Sequence, residues 1–352
     1  MTHNRQVRAV VFHDFGGPEV LRLEDLPDPT PGPGEVVLRV RAVSVMRTLD
    51  CEVRSRPNAF GPIPMPHVLG ADPAGEVAAV GGGVADVPLG ARVVTIQSIA
   101  CQTCRPCQMG LDNACIATRI IGVHTQGGYA EQVVVPAGNL VPIPSSLSFE
   151  EATAIMTMLP TAWHLLVDRA RLRAGETVLV MAAGGALGTA GVQVANLAGA
   201  RVIAAAGADW KLERARALGA DEVVNYRATT LSEEVKRLTD GWGADVVFEN
   251  LSVPDLWQES LASAATLGRI VTCGALGGGS VETNMRRFYF KHLSLIGARS
   301  APKTQVQEVY RLAREGRLKA IVHRQFPLAE ACDAHTLIES RDVFGRVVLS
   351  VS

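Results

Sequence analysis

The sequence predicts a two-domain α/β protein, with a doubly wound parallel-sheet domain inserted into a small β domain. Three observations carry this reading. The chain has 352 residues, beyond the roughly 250–300 at which single hydrophobic cores stop growing. Its first part is a series of short β-type runs broken by Pro and Gly. Beyond Phe149 helical and strand patterns alternate, and from about Ala298 the texture is mixed again.

The β domain reads from its punctuation. Pro27, Pro29, Pro31, Pro33 and Gly34, then Gly81–Gly82–Gly83, separate runs at Glu35–Ala42, Gly75–Val80, Ala91–Ile96 and Tyr129–Val135. Short strands with turn signals at irregular spacing suit a small β domain. A helical pattern over Glu150–Ala170 opens the second domain. It is followed by strand Thr177–Met181, helix Leu187–Leu197, strand Arg201–Ala205, helix Trp210–Leu218, strand Glu222–Asn225, helix Ser232–Thr239 and strands Ala244–Phe248 and Arg269–Cys273. Such alternation implies βαβ units and a parallel sheet. A helix near Thr304–Glu315 and a strand Arg346–Val351 return the chain to the β domain. The expected division is 1–157 with 298–352 against 158–297.

Composition narrows the function classes. A formal net charge of −1 gives no electrostatic footprint for nucleic acid or an anionic membrane. No apolar h-region follows Met1–Arg8. The uncharged stretch Val178–Ala200 is rich in Gly and Ala and carries Gln193 and Asn196, so a buried strand, a turn and a helix explain it better than a membrane span. Of seven cysteines, four fall between Cys101 and Cys115. Clustering of that kind in a long chain points to metal rather than disulfides, and to the cytoplasm.

Ala183-Gly184-Gly185-Ala186-Leu187-Gly188 follows a buried strand and opens a helix. Glycine is needed where backbone approaches a pyrophosphate and where helix sits close on strand, so this is an A-x-G-x-x-G dinucleotide fingerprint in a Rossmann-type domain. The second strand ends in Ala204–Gly207 without the acid that accepts ribose hydroxyls in NAD sites; Asp209 reads as a helix N-cap and Lys211 as a partner for a 2′-phosphate, with a solvated surface lysine as the alternative. NADP(H) is favoured over NAD(H). Cys101-x-x-Cys104-x-x-Cys107 and Cys115 supply four thiolates suited to a closed tetrahedral Zn²⁺ site within a lobe at 98–118, an iron–sulfur cluster being the alternative.

Together these motifs resemble the medium-chain dehydrogenase/reductase superfamily of zinc alcohol dehydrogenases and quinone oxidoreductases. The resemblance rests also on Gly16-Gly17-Pro18-Glu19-Val20, on Pro66–Val77 with Leu69-Gly70-Ala71-Asp72, on Gly127-Gly128-Tyr129-Ala130-Glu131 and on Leu218-Gly219-Ala220-Asp221. It implies a GroES-like β domain carrying the Rossmann-type insertion, and a homodimer joined through the edge strand at Leu293–Ala298. The family's three catalytic-zinc ligands fall on Met46, Ala71 and Thr157, which supply a thioether, no donor and a hydroxyl. His67 and Cys51 lie nearby in sequence and read as a loop histidine and a small packed side chain.

The resemblance also implies site residues. Arg47 and Arg346 fall where basic residues reach the cofactor pyrophosphate, each with a surface arginine as the alternative. Thr161 falls where a residue packs on the nicotinamide, and Lys211 with Tyr226 where quinone reductases surround the 2′-phosphate. Cys273-Gly274-Ala275 falls on the nicotinamide side and offers backbone groups. Thr48 takes the position of the family's hydroxyl relay and is the one proton donor to name, with water as the alternative. His124 and His164 are acids by type alone. Phe60, Met65, Met285 and Phe288 are candidate pocket residues or ordinary core.

Without a Lewis acid, hydride transfer suits acceptors that are already electrophilic. The expected function is therefore NADPH-dependent reduction of an activated alkene or a quinone, with one structural zinc. The alternatives are an alcohol or aldehyde dehydrogenase with an unusual metal site, and a non-redox enzyme (a lyase) or cofactor-binding protein on the same scaffold.

Overall fold

The structure is a computed structural model and describes residues 6–352. Two compact units are distinct: described residues through Thr157 with Pro302–Ser352, and Met158–Ala301.

The first unit is built on Glu35–Val45, an eleven-residue strand with seven Val or Leu side chains or their like turned inward along much of its length. Ala74–Val80 and Gln132–Pro136 pair with it antiparallel. The C-terminal strand Arg346–Ser350 also pairs antiparallel to it, with Val347 opposite Val45, and lies parallel to Val322–Pro327 on its far side. Arg92–Thr95 and Leu140–Pro142 complete this seven-stranded sheet. A separate hairpin of Gln6–Phe12 and Arg22–Pro27 is joined by His67–Val68. The run expected from Tyr129 begins as a strand only at Gln132, because the Tyr129 amide and carbonyl are bonded to Leu69 and Val10 instead.

The helical pattern over 150–170 is three pieces rather than one helix: Phe149–Ile155, Met158–Trp163 and a π-helical turn His164–Arg169. Pro160 has no N–H to give the Met156 carbonyl that a continuous helix would require. The chain breaks there, with Thr157 at φ +69°. Ser148 and Glu151 close a reciprocal capping box on the first piece, which fixes where it starts.

The second unit is a six-stranded, wholly parallel sheet: β1 (Thr177–Val180), β2 (Arg201–Ala206), β3 (Glu222–Asn225), β4 (Ala244–Phe248), β5 (Ala264–Thr272) and β6 (Ser294–Gly297). Their spatial order is β3-β2-β1-β4-β5-β6. The sheet is covered on both faces, so its strands are nearly continuous apolar runs, as β2 with Val202–Ala206 all buried. Leu179, Ile203, Val247, Trp257, Leu261 and Ile270 belong to one core cluster, against which Phe288 is packed. Phe288 is partly buried, with its packed side on that cluster. The uncharged stretch from Val178 is resolved as β1, a turn and helix α1 (Ala186–Leu197). Among the described residues no helix is long and apolar enough to cross a membrane.

Candidate functional site

In the second unit the glycine turn leaves β1 and runs directly into α1. Gly185 is the N-cap, and no side chain accepts from the first amides of α1. Unsatisfied N–H groups at the positive end of a twelve-residue helix are a ready site for phosphate. Gly188 is sterically obligatory against backbone, and Gly184 leaves room for a neighbouring side chain. A Cβ on Gly188 would sit 2.1 Å from the Ala182 carbonyl oxygen, and one on Gly184 would sit 2.6 Å from Lys211 Cδ. Helix thus lies on strand at the first, and the stem of Lys211 lies on bare backbone at the second. Ala183 and Ala186–Leu187 keep the turn narrow between them.

Beyond the end of β2, a Cβ on Gly207 would come within 2.9 Å of Arg227 Nε and 3.0 Å of Tyr226 Cε2. Tyr226 and Arg227 therefore lie at the end of β2, and the stem of Lys211 lies on the glycine turn beyond β1. Sequence reasoning missed Arg227, because its approach to Gly207 exists only once the chain has folded. Asp209 is not an N-cap: Ala208 holds that position in α2 (Asp209–Ala217), and the Asp209 carboxylate accepts from Asn225 Nδ2 at 2.7 Å. The Asp209 side chain is thus committed to the end of the adjacent strand β3.

At the ends of β4 and β5, Cys273 donates its N–H to Asn250 Oδ1 at 3.2 Å, and Gly274 donates to Thr272 Oγ1 at 3.4 Å. Gly274 O accepts from Ser252 Oγ at 3.1 Å, and Ala275 O accepts from Gly278 N. Burial pushes the Cys273 thiol up to about 12, which makes it no nucleophile near neutrality. Thr161 is buried in the helix Met158–Trp163.

In the first unit, Met46 leads into a π-helical turn Arg47–Cys51, where Thr48 is exposed and Arg47 half-buried. Asp50 is wholly buried beneath it. One carboxylate oxygen accepts from Met46 N at 2.7 Å, the other from Gly70 N at 3.2 Å. A single carboxylate thus ties together the two loops that carry Met46 and Ala71. Loss of water is the main influence on Asp50, pushing it up to about 7 against the pull of the Met46 amide. Tyr129 Oη donates to Asp50 at 3.4 Å and lies 3.0 Å from His335 Nε2. The other face of that imidazole accepts from Arg54 Nη1 at 3.0 Å, and Arg54 reaches Glu339 at 2.5 Å. Because guanidinium can only donate, the neutral ring carries its proton on Nε2. Cys51 Sγ lies 3.6 Å from the same Nδ1. Sequence reasoning missed His335, Arg54 and Asp50: a histidine on a distant amphipathic helix gives no signal of its partners.

Burial and the nearby Arg54 hold His335 down to about 3. Between about pH 3 and 6.5 the unfolded chain therefore binds a proton that the folded chain refuses, and stability is lost as pH falls through the unfolded value. Asp50 runs oppositely: the folded chain holds its proton up to about 7, so its contribution is lost as pH rises through that value. The two slopes offset each other. His335→Gln keeps an acceptor for Arg54 and a donor for Tyr129, and removes one slope. Relative to the parent, the variant is expected to gain about 1.4 kcal/mol per pH unit below roughly pH 6. Chemical denaturation at pH 5, 6 and 8 checks this; a difference that stays constant contradicts a neutral buried His335.

Asp72 and Arg346 form a second buried group. Arg346 is 4 % exposed and donates to Asp72 Oδ2 at 2.7 Å and to the Ser44 hydroxyl. Ser44 N and Thr153 Oγ1 donate to Asp72 as well. Arg346 is no surface arginine. Its Nε has no partner among the described residues. His67 is buried against Phe12, with Nε2 3.0 Å from Gly122 O. His124 and His164 are engaged locally, by the Ile120 amide and by Asp168.

Cys101, Cys104, Cys107 and Cys115 bring their Sγ atoms within 4.8 Å of one another, the one such group of His, Cys, Asp or Glu donors found among the described residues. A tetrahedral ion with Zn–S near 2.3 Å has S···S edges of about 3.8 Å; here Cys104–Cys115 is 3.9 Å and Cys104–Cys107 3.4 Å. Backbone amides already point at the sulfurs: Cys104 N to Cys101 Sγ at 3.4 Å and Cys101 N to Cys115 Sγ at 3.3 Å. Such donors favour thiolate over thiol. The set fits a closed zinc site.

Residues 32–145 match the model of the alcohol dehydrogenase GroES-like domain, and residues 186–315 that of the zinc-binding dehydrogenase domain. The chain belongs to the medium-chain dehydrogenase/reductase superfamily. Within it, the chain is 32 % identical over 98 % of its length to an NAD-dependent alcohol dehydrogenase of Sulfolobus acidocaldarius, all of which is covered. It is 31 % identical to a quinone oxidoreductase of Pseudomonas aeruginosa, covering 97 % of this chain and 99 % of that one. A crystal structure of an NAD-dependent alcohol dehydrogenase superposes with a TM-score of 0.93 at 44 % identity, covering 98 % of this chain and all of the other. The two matched domains are the GroES-like β unit and the Rossmann-type unit, and the protein is an NAD(P)-dependent medium-chain oxidoreductase.

Proposed function

We propose that this chain is an NADPH-dependent reductase that transfers hydride to an activated alkene or a quinone without a catalytic cation. One observation carries the reading: the loops holding Met46 and Ala71 are joined by the Asp50 carboxylate through backbone amides. Side chains at Met46, Ala71 and Thr157 form no ligand set, and Asp72, next to Ala71, is committed to Arg346. When bound, the nicotinamide supplies the hydride. This chain's part is to hold the pyrophosphate on the open amides of α1 and the adenosine 2′-phosphate at Lys211, Tyr226 and Arg227. Thr161, in the same unit, packs on the nicotinamide, and Arg47, Arg346 and Thr48 keep the roles that the family resemblance implies. Acceptors whose own conjugation spreads the developing charge need no Lewis acid.

The four-cysteine lobe holds one structural zinc in this reading, which suits a reducing compartment such as the cytoplasm. A homodimer forms through β6, an edge strand of its sheet with Leu295 half exposed. The second reading is a zinc-type alcohol or aldehyde dehydrogenase with an unusual metal site. It is favoured by the alcohol dehydrogenases among the chain's relatives.

Purified protein tests both. The expected result is one zinc per chain, oxidation of NADPH in the presence of a 1,4-quinone or a 2-enone, and a higher kcat/KM with NADPH than with NADH. Two metal ions per chain, with alcohol oxidation lost on removing one, would overturn the reductase reading.

A further inference from the structure

Among the described residues of the second unit, four buried side-chain polar atoms have no partner: Asn250 Nδ2, Ser260 Oγ, Arg269 Nε and Ser300 Oγ; of these, Asn250 stands just beyond the carboxyl end of a central strand. Asn250 lies two residues beyond β4 and is 7 % exposed. Its Oδ1 accepts from Cys273 N at 3.2 Å and from the Cys273 thiol at 3.5 Å. A backbone N–H can only donate, so the amide cannot be turned the other way. Asn250 Nδ2 is then left with no partner among the described residues and no contact with solvent. Buried amide donors are paired in nearly all folded proteins, and an orphan of this kind calls for a missing acceptor.

The surrounding loop is built to hold that side chain still. Glu249 turns its carboxylate onto Leu251 N and Ser252 N, at 3.0 and 3.2 Å, rather than onto Asn250. Ser252 sits in the left-handed region at φ +50° and donates its hydroxyl to Gly274 O. A Cβ at Gly274 would fall 2.6 Å from the Asn250 carbonyl oxygen, so the two loops are in direct backbone contact.

The place of Asn250 in the sheet says which acceptor is missing. Strand order reverses between β1 and β4, and in open parallel sheets ligands lie outside the carboxyl ends of the strands at that switch point. A dinucleotide lies across it with one mononucleotide on each half-sheet. Lys211, Tyr226 and Arg227 mark the β2–β3 side for adenosine, and the glycine turn marks the pyrophosphate. The β4–β5 side, where Asn250 lies, is left for the other half.

We infer that Asn250 Nδ2 donates a hydrogen bond to an oxygen of the nicotinamide riboside, a ribose hydroxyl or the carboxamide carbonyl, and so sets the position of the reacting ring. This rests on the proposal that the unit binds NADP(H). Asn250→Asp keeps an acceptor for Cys273 N–H and exchanges the donor for an oxygen. Asn250→Leu removes the donor without adding charge, and thermal unfolding checks that each variant is folded.

Calorimetry on the full chain with NADPH and with 2′,5′-ADP, which carries the adenosine half alone, reads the result. The expected outcome is a loss of tenfold or more in NADPH affinity in the folded variants, with 2′,5′-ADP changed by less than twofold. Unchanged NADPH binding in a folded variant, or equal weakening of both ligands, overturns the assignment. NADH and AMP are run in parallel. Tight NADH with no preference for NADPH would remove the cofactor choice while leaving Asn250 its role, and a parent protein that binds no dinucleotide removes both.

Discussion

Asp72→Ala is expected to destabilise the β-rich unit by about 3–5 kcal/mol, the usual cost of leaving a buried charge without its partner. Asp72 is fully buried and Arg346 nearly so. The carboxylate also accepts from the Ser44 hydroxyl, Ser44 N and Thr153 Oγ1, so its loss leaves a cation and several donors unsatisfied together. These partners come from Glu35–Val45, from the Phe149–Ile155 helix and from the last strand, so the damage spreads across three segments distant in sequence. Asp72→Asn, which keeps the shape and one acceptor oxygen, is expected to cost less. Urea denaturation of both variants and the parent gives the comparison. An Asp72→Ala variant within 1 kcal/mol of the parent would mean that the ion pair is relieved by water rather than held.

The second large effect is expected from stripping the zinc proposed for the cysteine lobe. In zinc-finger peptides the apparent free energy of such a site is about 10–16 kcal/mol at neutral pH. The lobe has little else to hold it: its secondary structure is a short helix Arg105–Gln108, a 3₁₀ turn Asp112–Ala114 and a two-residue ribbon of Ser98–Ile99 with Arg119–Ile120. Its exposed Met109 and Ile116 add little core. A strong chelator, or Cys104→Ser, is expected to release one zinc per chain, to make the lobe thiols reactive and to lower Tm by several degrees. The six-stranded parallel sheet lies in the other unit and is expected to keep its ability to bind nucleotide. Four thiols that stay unreactive in chelator, with no metal released, would contradict a zinc lobe.

Much of the architecture was legible because it is written in local pattern. The Rossmann-type strands read from apolar runs and the turn at Ala183–Gly188 from its glycines, since both depend on residues close in sequence. The four-cysteine lobe was legible for the same reason. The break at Thr157 was not read, although Pro160 carried the signal. What stayed hidden was long-range polar pairing. Nothing near His335 announces Tyr129 or Arg54, and nothing near Asp72 announces Arg346. Nothing near Asp50 in sequence announces its burial or its bonds to the Met46 and Gly70 amides, which give it its role. Asn250 was hidden differently: its significance lies in a bond that the fold does not make.

The strand Arg346–Ser350 is laid between Glu35–Val45 and Val322–Pro327. On the ribosome, the sheet of the first unit therefore stays incomplete until nearly all of the chain has emerged, whereas the parallel sheet of Met158–Ala301 has every strand in hand well before that. The nucleotide-binding half can mature first, while the older N-terminal half waits with an open seam beside Glu35–Val45. During synthesis that seam is the part of the molecule most exposed to wrong pairing with a neighbouring nascent chain, and most in need of chaperone cover.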